Sequence, residues 1–298
     1  MTSDLLEQFS GALAQRAQSV RGGVAAIRFS GGRYLSATLW QPEVAVASEQ
    51  SLPDGDEFEL VVAGGSPVKA KLAGRDQGTN VAALRLERAV DVQPLVDAEP
   101  TAGALALAFG ADGAGGVRAR LGIVNTAGPE WASSAGGRID RYVVLDLALA
   151  RAEEGGPVLD ASGRRLGIST FGPRGRVLVI PAATVTRSVE ALLKDGRIAR
   201  GWLGVALQPV AVPDALRGET GQEVGAMVMS IVPDGPAAKA GIVAGDILLS
   251  VNGSPVRRLR RIAAALGPET VGREAELRVV RGGTVATLRA TIEARPAE

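Results

Sequence analysis

The chain is 298 residues long and 46% hydrophobic but only 3% aromatic, and its 33 basic and 32 acidic residues leave a net charge of +1. Such a balance gives no global attraction to nucleic acid or to an anionic membrane. Histidine and cysteine are both absent, which excludes Ser-His-Asp and Cys-His nucleophilic chemistry, disulfides and thiolate metal sites.

The length suits about two domains, and 39 glycines with 16 prolines predict many turns between short strands. Residues 4–19 read as an amphipathic helix. Asp4 and Glu7 make a capping-box pattern, and Leu5, Leu6, Phe9 and Leu13 share one face. This segment has neither a basic n-region nor an apolar h-region, and no stretch approaches the ~20 apolar residues of a membrane span. A cytoplasmic location is therefore expected, or a periplasmic one if a signal has been removed.

From Val24 to Pro181 strands alternate with turns. The first set spans 24–29, 34–40, 44–48, 57–63, 68–74 and 81–86. The second spans 104–109, 118–125, 142–147, 156–160, 165–170 and 176–180. Two sets of six suit two packed antiparallel barrels in a mostly β protein. A helix over 183–194 closes this domain, and Asp195-Gly196 stops it. The expected domain limits are 1–197 and 198–298. The second, α+β domain carries strands over 202–209, 226–232, 246–251, 274–280 and 284–292. Short helices are expected at 236–240 and 259–266. Asn252-Gly253 is a type I′ turn signal.

The most informative stretch is Ala152-Glu153-Glu154-Gly155-Gly156-Pro157, followed by Val158-Leu159 and the turn Asp160-Ala161-Ser162-Gly163. It looks like the nucleophile loop of a trypsin-like serine protease, with Glu154 where the serine stands. Paired carboxylates act elsewhere as acid and base or bind hard cations. Adjacent loop residues usually point apart, however, and no further ligand cluster accompanies these two. A solvated or locally paired role is the simpler reading, with no metal and no cofactor. The acidic run Asp54, Asp56, Glu57 and Glu59 reads as a solvated turn.

Two further segments carry a family resemblance. One is Val179-Ile180-Pro181-Ala182, a helix, then Arg200-Gly201-Trp202-Leu203-Gly204-Val205. The other is Gly225–Val251 with its Val-x-Pro-x-Gly-Pro-Ala-x-x-Ala-Gly and Gly-Asp-Ile-Leu-Leu signatures. Together they resemble the HtrA/DegP-type serine proteases, a trypsin-like domain followed by a PDZ domain. The resemblance places Gln50 at the family's histidine. Gly74-Arg75-Asp76-Gln77-Gly78-Thr79-Asn80 matches the aspartate motif, with Asn80 in the aspartate's place, and Glu154 takes the serine's. Gln50 cannot relay a proton near neutral pH, Asn80 removes the charge behind an imidazolium, and Glu154 opposes a developing oxyanion. On these grounds the chain is expected to be a catalytically inactive member and not an enzyme.

The PDZ half implies binding of peptide C-termini by strand addition. By resemblance the carboxylate meets the amides of Leu203, Gly204 and Val205, a nest-like anion site. Leu259, Ile262 and Leu266, three and four apart, supply the apolar wall, and Arg200 adds charge. Plain core packing accounts equally well for those three. The leading expectation is a non-catalytic scaffold that binds protein C-termini, with an oligomer, a trimer by resemblance, built on the N-terminal helix. A chaperone-like oligomer and an enzyme rebuilt around Glu153 and Glu154 are the alternatives.

Overall fold

The computed structural model describes residues 2–62, 67–256, 262 and 265–296. The chain divides into two compact units, 1–131 with 139–197 and 132–138 with 198–298. The first holds two closed antiparallel barrels of six strands each. Strands Val24–Arg28, Tyr34–Gln41, Val44–Ser48, Val81–Leu86, Pro67–Asp76 and Glu57–Val61 follow one another around the first barrel. Val143–Asp146, Val177–Pro181, Arg165–Phe171, Pro157–Asp160, Leu105–Ala111 and Val117–Ala127 make the second.

Alternation decides which side chains fill each barrel. Ala25, Ile27, Leu35, Ala37, Leu39, Leu60, Ala82 and Leu84 turn into the first. Ala106, Ala108, Val158, Val177 and Val179 turn into the second. The opposite faces of Val24–Arg28 and Leu105–Ala111 are buried too. Val24, Ala26, Leu107, Phe109 and Ala111 join Val61 and Leu159 in a separate cluster between the barrels. Both strands therefore read as near-continuous apolar runs, because neither face meets water. Across the same seam the buried Arg165 guanidinium lies 3.4 Å from the Trp40 ring centroid and 2.7 Å from Asp97.

The helix Ala182–Asp195 buries Val185, Val189 and Leu192 and ends at Gly196 with φ 70°. It seats against Gly74, where an added Cβ would lie 2.2 Å from the Gly196 carbonyl oxygen and 3.0 Å from Leu192. The N-terminal helix runs Thr2–Val20, two residues earlier than expected. Asp4 lies inside it and accepts a hydrogen bond from Gln8, so it is not a cap. Leu13 packs on the inter-barrel cluster, whereas Leu5, Leu6 and Phe9 stay exposed.

The second unit is a five-strand sheet in the order Val205–Ala211, Val224–Ile231, Ile247–Val251, Glu274–Arg281, Thr284–Thr291, with the two-residue strand Ser254–Pro255 beside Ile247–Val251. The expected strand over 202–209 is broken in two. Gly204 takes φ 74°, and pairing resumes at Val205. Asn252 and Gly253 both have positive φ, as a type I′ turn needs. The stretch read as a loop up to Gly221 contains a helix, Asp214–Thr220, that buries only Thr220 and so leaves no strong apolar period. Among the described residues no helix is long and apolar enough to cross a membrane.

Gly74→Ala is expected to cost roughly 1–3 kcal/mol by overpacking, read as a lower thermal unfolding midpoint of the barrel unit. An unchanged midpoint would show that the helix is not seated on Gly74.

Candidate functional site

Three short segments meet at the mouth between the barrels. The turn after Val44–Ser48 brings Gln50 and Ser51, the tight turn 76–80 brings Asn80, and the loop before Pro157–Asp160 brings Glu153 and Glu154. The second turn is held by Asp76, whose carboxylate accepts from the Thr79 amide at 2.8 Å and its hydroxyl at 2.7 Å. Asn80 takes φ 57°, tolerable for asparagine, and its side-chain oxygen accepts from the Gln50 amide at 2.8 Å. Gln50, Asn80 and Glu154, far apart in sequence, thus come together at this mouth.

Glu154 is 2% exposed, and no cation pairs with it among the described residues. Neutral donors surround it instead. Its Oε1 accepts from Gln50 Nε2 at 2.6 Å, Thr170 Oγ1 at 2.7 Å, Ser48 Oγ at 2.8 Å and the Phe171 amide at 3.2 Å. Its Oε2 accepts from Ser51 Oγ. Asn80 Nδ2 in turn donates to Thr170 Oγ1 and Ser48 Oγ. A polar group buried this deeply is costly unless it is hydrogen-bonded. Here both barrels supply the donors.

Glu153 is 1% exposed and has a different solution. Arg120 clasps it, with Nη2 to Oε1 at 2.8 Å and Nε to Oε2 at 3.0 Å, and the Ala150 amide donates to Oε2 at 2.9 Å. Burial opposes its charge, but Arg120 and the Ala150 amide outweigh burial and hold its carboxyl below the usual range. The two adjacent carboxylates therefore face apart, and among the described residues no acidic group joins them at metal-ligating distance.

The loop itself is fully tied. The Glu153 amide donates to Ala150, the Glu154 amide to Arg151 and the Gly155 amide to Ser169. Ser36 and Thr38 donate to the carbonyls of Ala152 and Gly155. Gly155 has φ 89°, and a Cβ there would lie 2.5 Å from the Ser36 oxygen. At Gly156 a Cβ would lie 1.8 Å from the Phe109 oxygen. Both glycines are required by packing, whatever residue precedes them.

In the second unit Leu203 and Gly204 are fixed through their carbonyls, which accept from the amides of Ala237 and Val232 at 2.9 Å and 2.8 Å. Ile262 and Leu266 lie in the core cluster and also line a groove of about 280 Å³ with Leu203, Val205 and Leu207. Leu259 lies outside the described residues. Ser48, Ser51, Thr170 and Arg120 were not foreseen. The two serines flank Gln50, which was a usable hint, but nothing in sequence links Arg120 to Glu153.

Glu154→Ala leaves buried donors unpaired at about 1–3 kcal/mol each, so the barrel unit should lose several degrees of thermal midpoint at about 2–4 °C per kcal/mol. Arg120→Ala should act through Glu153. A carboxyl held below its usual value of 4.5 stabilises the fold above that pH and loses this contribution as pH falls through its folded value. The midpoint difference between wild type and Arg120→Ala should accordingly be full at pH 7 and shrink in acid. A difference that grows in acid would exclude the pairing.

Comparison with known proteins sets this geometry in a family. Residues 17–168 match the trypsin-like peptidase domain and 201–292 the PDZ domain. A relative named "Probable periplasmic serine endoprotease DegP-like" from Brucella suis is 34% identical over 261 residues, 84% of this chain and 50% of the relative. Its counterpart in Rhizobium meliloti is 31% identical over 85% of this chain and 51% of the relative. The chain thus spans about half the length of the curated relatives it matches. Among solved structures, the HtrA-type protease AlgW with decapeptide aligns with a TM-score of 0.74 at 21% identity, over 96% of this chain and 99% of that one. The serine endoprotease from Yersinia pestis aligns with a TM-score of 0.74 at 22% identity, over 95% of this chain and 98% of that one.

These relatives correct two expectations. The reading of the chain as no enzyme is overturned by relatives named serine endoproteases over most of its length, which point to a protease. The cytoplasmic expectation is overturned by relatives named periplasmic. Two six-stranded barrels carrying a trypsin-like peptidase match place the chain in the trypsin-like peptidase family, and with the PDZ domain that follows it is similar to HtrA/DegP-like proteins.

Proposed function

We propose that this chain is an HtrA/DegP-like protein that works on polypeptides in the periplasm and captures their free C-termini in the groove of its PDZ domain. The observation that carries this reading is the edge position of Val205–Ala211, which pairs on one side only among the described residues. An exposed edge beside an apolar groove takes an extended peptide as an added strand, with main-chain hydrogen bonds for affinity and pockets for selectivity. Leu203, Gly204 and Val205 supply amides to the terminal carboxylate. Ile262 and Leu266, with Leu259 by resemblance, form the wall for an apolar last residue. The exposed Leu5, Leu6 and Phe9 favour self-association of the barrel unit, with a trimer as the family's arrangement.

A second reading follows the relatives' names toward peptide-bond hydrolysis. In a chain without histidine it rests on the contact between Ser51 Oγ and Glu154 Oε2. Ser51 is the half-buried hydroxyl on Glu154, while Ser48 and Thr170 are fully buried. Glu154 would take the Ser51 proton as the oxygen attacks the carbonyl carbon, then pass it to the departing amine. Water would release the acyl group in the reverse sense. Both Glu154 oxygens already accept hydrogen bonds, Oε1 from four donors, and this saturation weighs against the reading.

The test is a C-terminal peptide-library screen on the full chain. Binding near the micromolar range, about −8 kcal/mol, is expected for apolar-ended peptides with a free carboxylate. Amidated peptides should bind at least about tenfold more weakly. Gly204→Val strains the φ 74° position beside the Trp202 ring and should abolish capture. No binding to any peptide would remove the proposal. Hydrolysis of an unfolded substrate that Ser51→Ala abolishes would establish the second reading.

A further inference from the structure

The strand Arg165–Phe171 offers an edge at the mouth between the barrels. On that side Ser169 is paired by backbone. Its amide donates to the Gly156 carbonyl at 2.9 Å, and its carbonyl accepts from the Gly155 amide at 2.9 Å. Phe171, two residues on, presents its amide and carbonyl to the same side. There the chain that faced Ser169 has turned off into the short 3-10 helix Arg151–Glu153. Among the described residues the strand partner of Phe171 is Val177, on the opposite side. Two side chains take the place of the missing strand. Glu154 Oε1 accepts from the Phe171 amide at 3.2 Å, and Gln50 Nε2 donates to the Phe171 carbonyl at 3.0 Å.

An oxygen that accepts and an amide that donates reproduce the hydrogen bonds of one residue of an added strand. The two caps differ in hold. The Phe171 amide is the longest of the four contacts on Oε1, behind Gln50 at 2.6 Å, Thr170 at 2.7 Å and Ser48 at 2.8 Å. Glu154 can therefore release it and keep its cage. The carbonyl cap rests on Gln50, which is exposed at the mouth, whereas Phe171 is half-buried. We infer that Gln50 is an autoinhibitory plug. By capping Phe171 it keeps an extended polypeptide from adding to this edge, and the mouth accepts main chain only when Gln50 swings away. A bare edge of unpaired N–H and C=O groups is a template for another strand. It recognises main chain and not a terminal carboxylate, which separates it from the capture proposed at 203–205.

The experiment is fluorescence anisotropy on the full chain with a labelled decapeptide of Val and Thr residues, with a Lys at each end and both termini blocked. Such a peptide has no free carboxylate for the PDZ groove. Gln50→Ala should bind it roughly two- to tenfold more tightly than the wild type, the worth of one main-chain hydrogen bond. Gln50→Ser, too short to reach the Phe171 carbonyl, should show the same gain. Thermal midpoints check that both variants are folded. The gain should disappear when the peptide is N-methylated along its central residues, because it then has no amide to give the carbonyl. Peptide bound to Gln50→Ala should also slow hydrogen exchange at the Phe171 amide. Equal affinity of the wild type and both variants, measurable or not, overturns the inference, and so does a gain that survives N-methylation. Neither result touches the capture of free C-termini, which carboxylate-ended peptides test separately.

Discussion

The barrel unit depends on how one buried carboxylate is neutralised without a cation. Glu154 draws donors from Gln50, Ser48 and Ser51 on one side of the mouth and from Thr170 and the Phe171 amide on the other. Hydrogen bonds to a charged acceptor are about twice as strong as neutral ones, and the barrels share them. Seam packing by Val24, Ala26, Leu107 and Phe109 brings the strands together without directional preference. The carboxylate adds direction, because each donor must face one point. Separating the barrels would take away the donors from Gln50, Ser48 and Ser51, so those contacts tie the first barrel to the second.

Glu153 and Glu154 show how neighbouring residues of one type receive opposite treatment. Glu153 turns toward the outer strand and a guanidinium, while Glu154 turns into a neutral polar cage. The loop between Ala150 and Pro157 is fixed at both ends, and its amides point inward. Gly155 and Gly156 permit this because a Cβ at either would strike backbone from the first or second barrel. The Gly-Gly-Pro signature is thus explained by packing, independently of the residue before it.

The second unit uses a simpler device. One glycine at φ 74° interrupts the first strand, and the carbonyls on either side are fixed by Ala237 and Val232. The strand that resumes at Val205 is left at the sheet edge. The return of the chain at 293–295 then sets Arg295 beside Arg200. Asp246 is clasped by Arg281 at 2.6 Å and accepts from the Val243 amide. This arrangement anchors the Gly-Asp-Ile-Leu-Leu stretch whose regularity made the domain legible.

Much of this was visible in the residues alone. The two sets of six strands, the helix near 183–194 and the turn at Asn252-Gly253 follow from period-two patterning and turn chemistry, which are local and survive as sequence. Gln50, Asn80 and Glu154 were singled out only through the family resemblance, since no local pattern of this chain links them. Tertiary structure alone decided what those residues touch. Whether Glu154 is solvated or caged depends on Ser51 and Thr170, more than a hundred residues apart. Whether Glu153 joins it depends on Arg120, a partner no local pattern announces. The N-terminal helix shows the reverse limit. Of Leu5, Leu6, Phe9 and Leu13, which share one face, Leu13 alone reaches the core cluster, because periodicity states which side chains share a face and not what covers it. The sequence determined the elements through short-range sterics and burial pattern; the pairing of charges and the closing of the groove were decided by contacts that exist only once distant strands are in register.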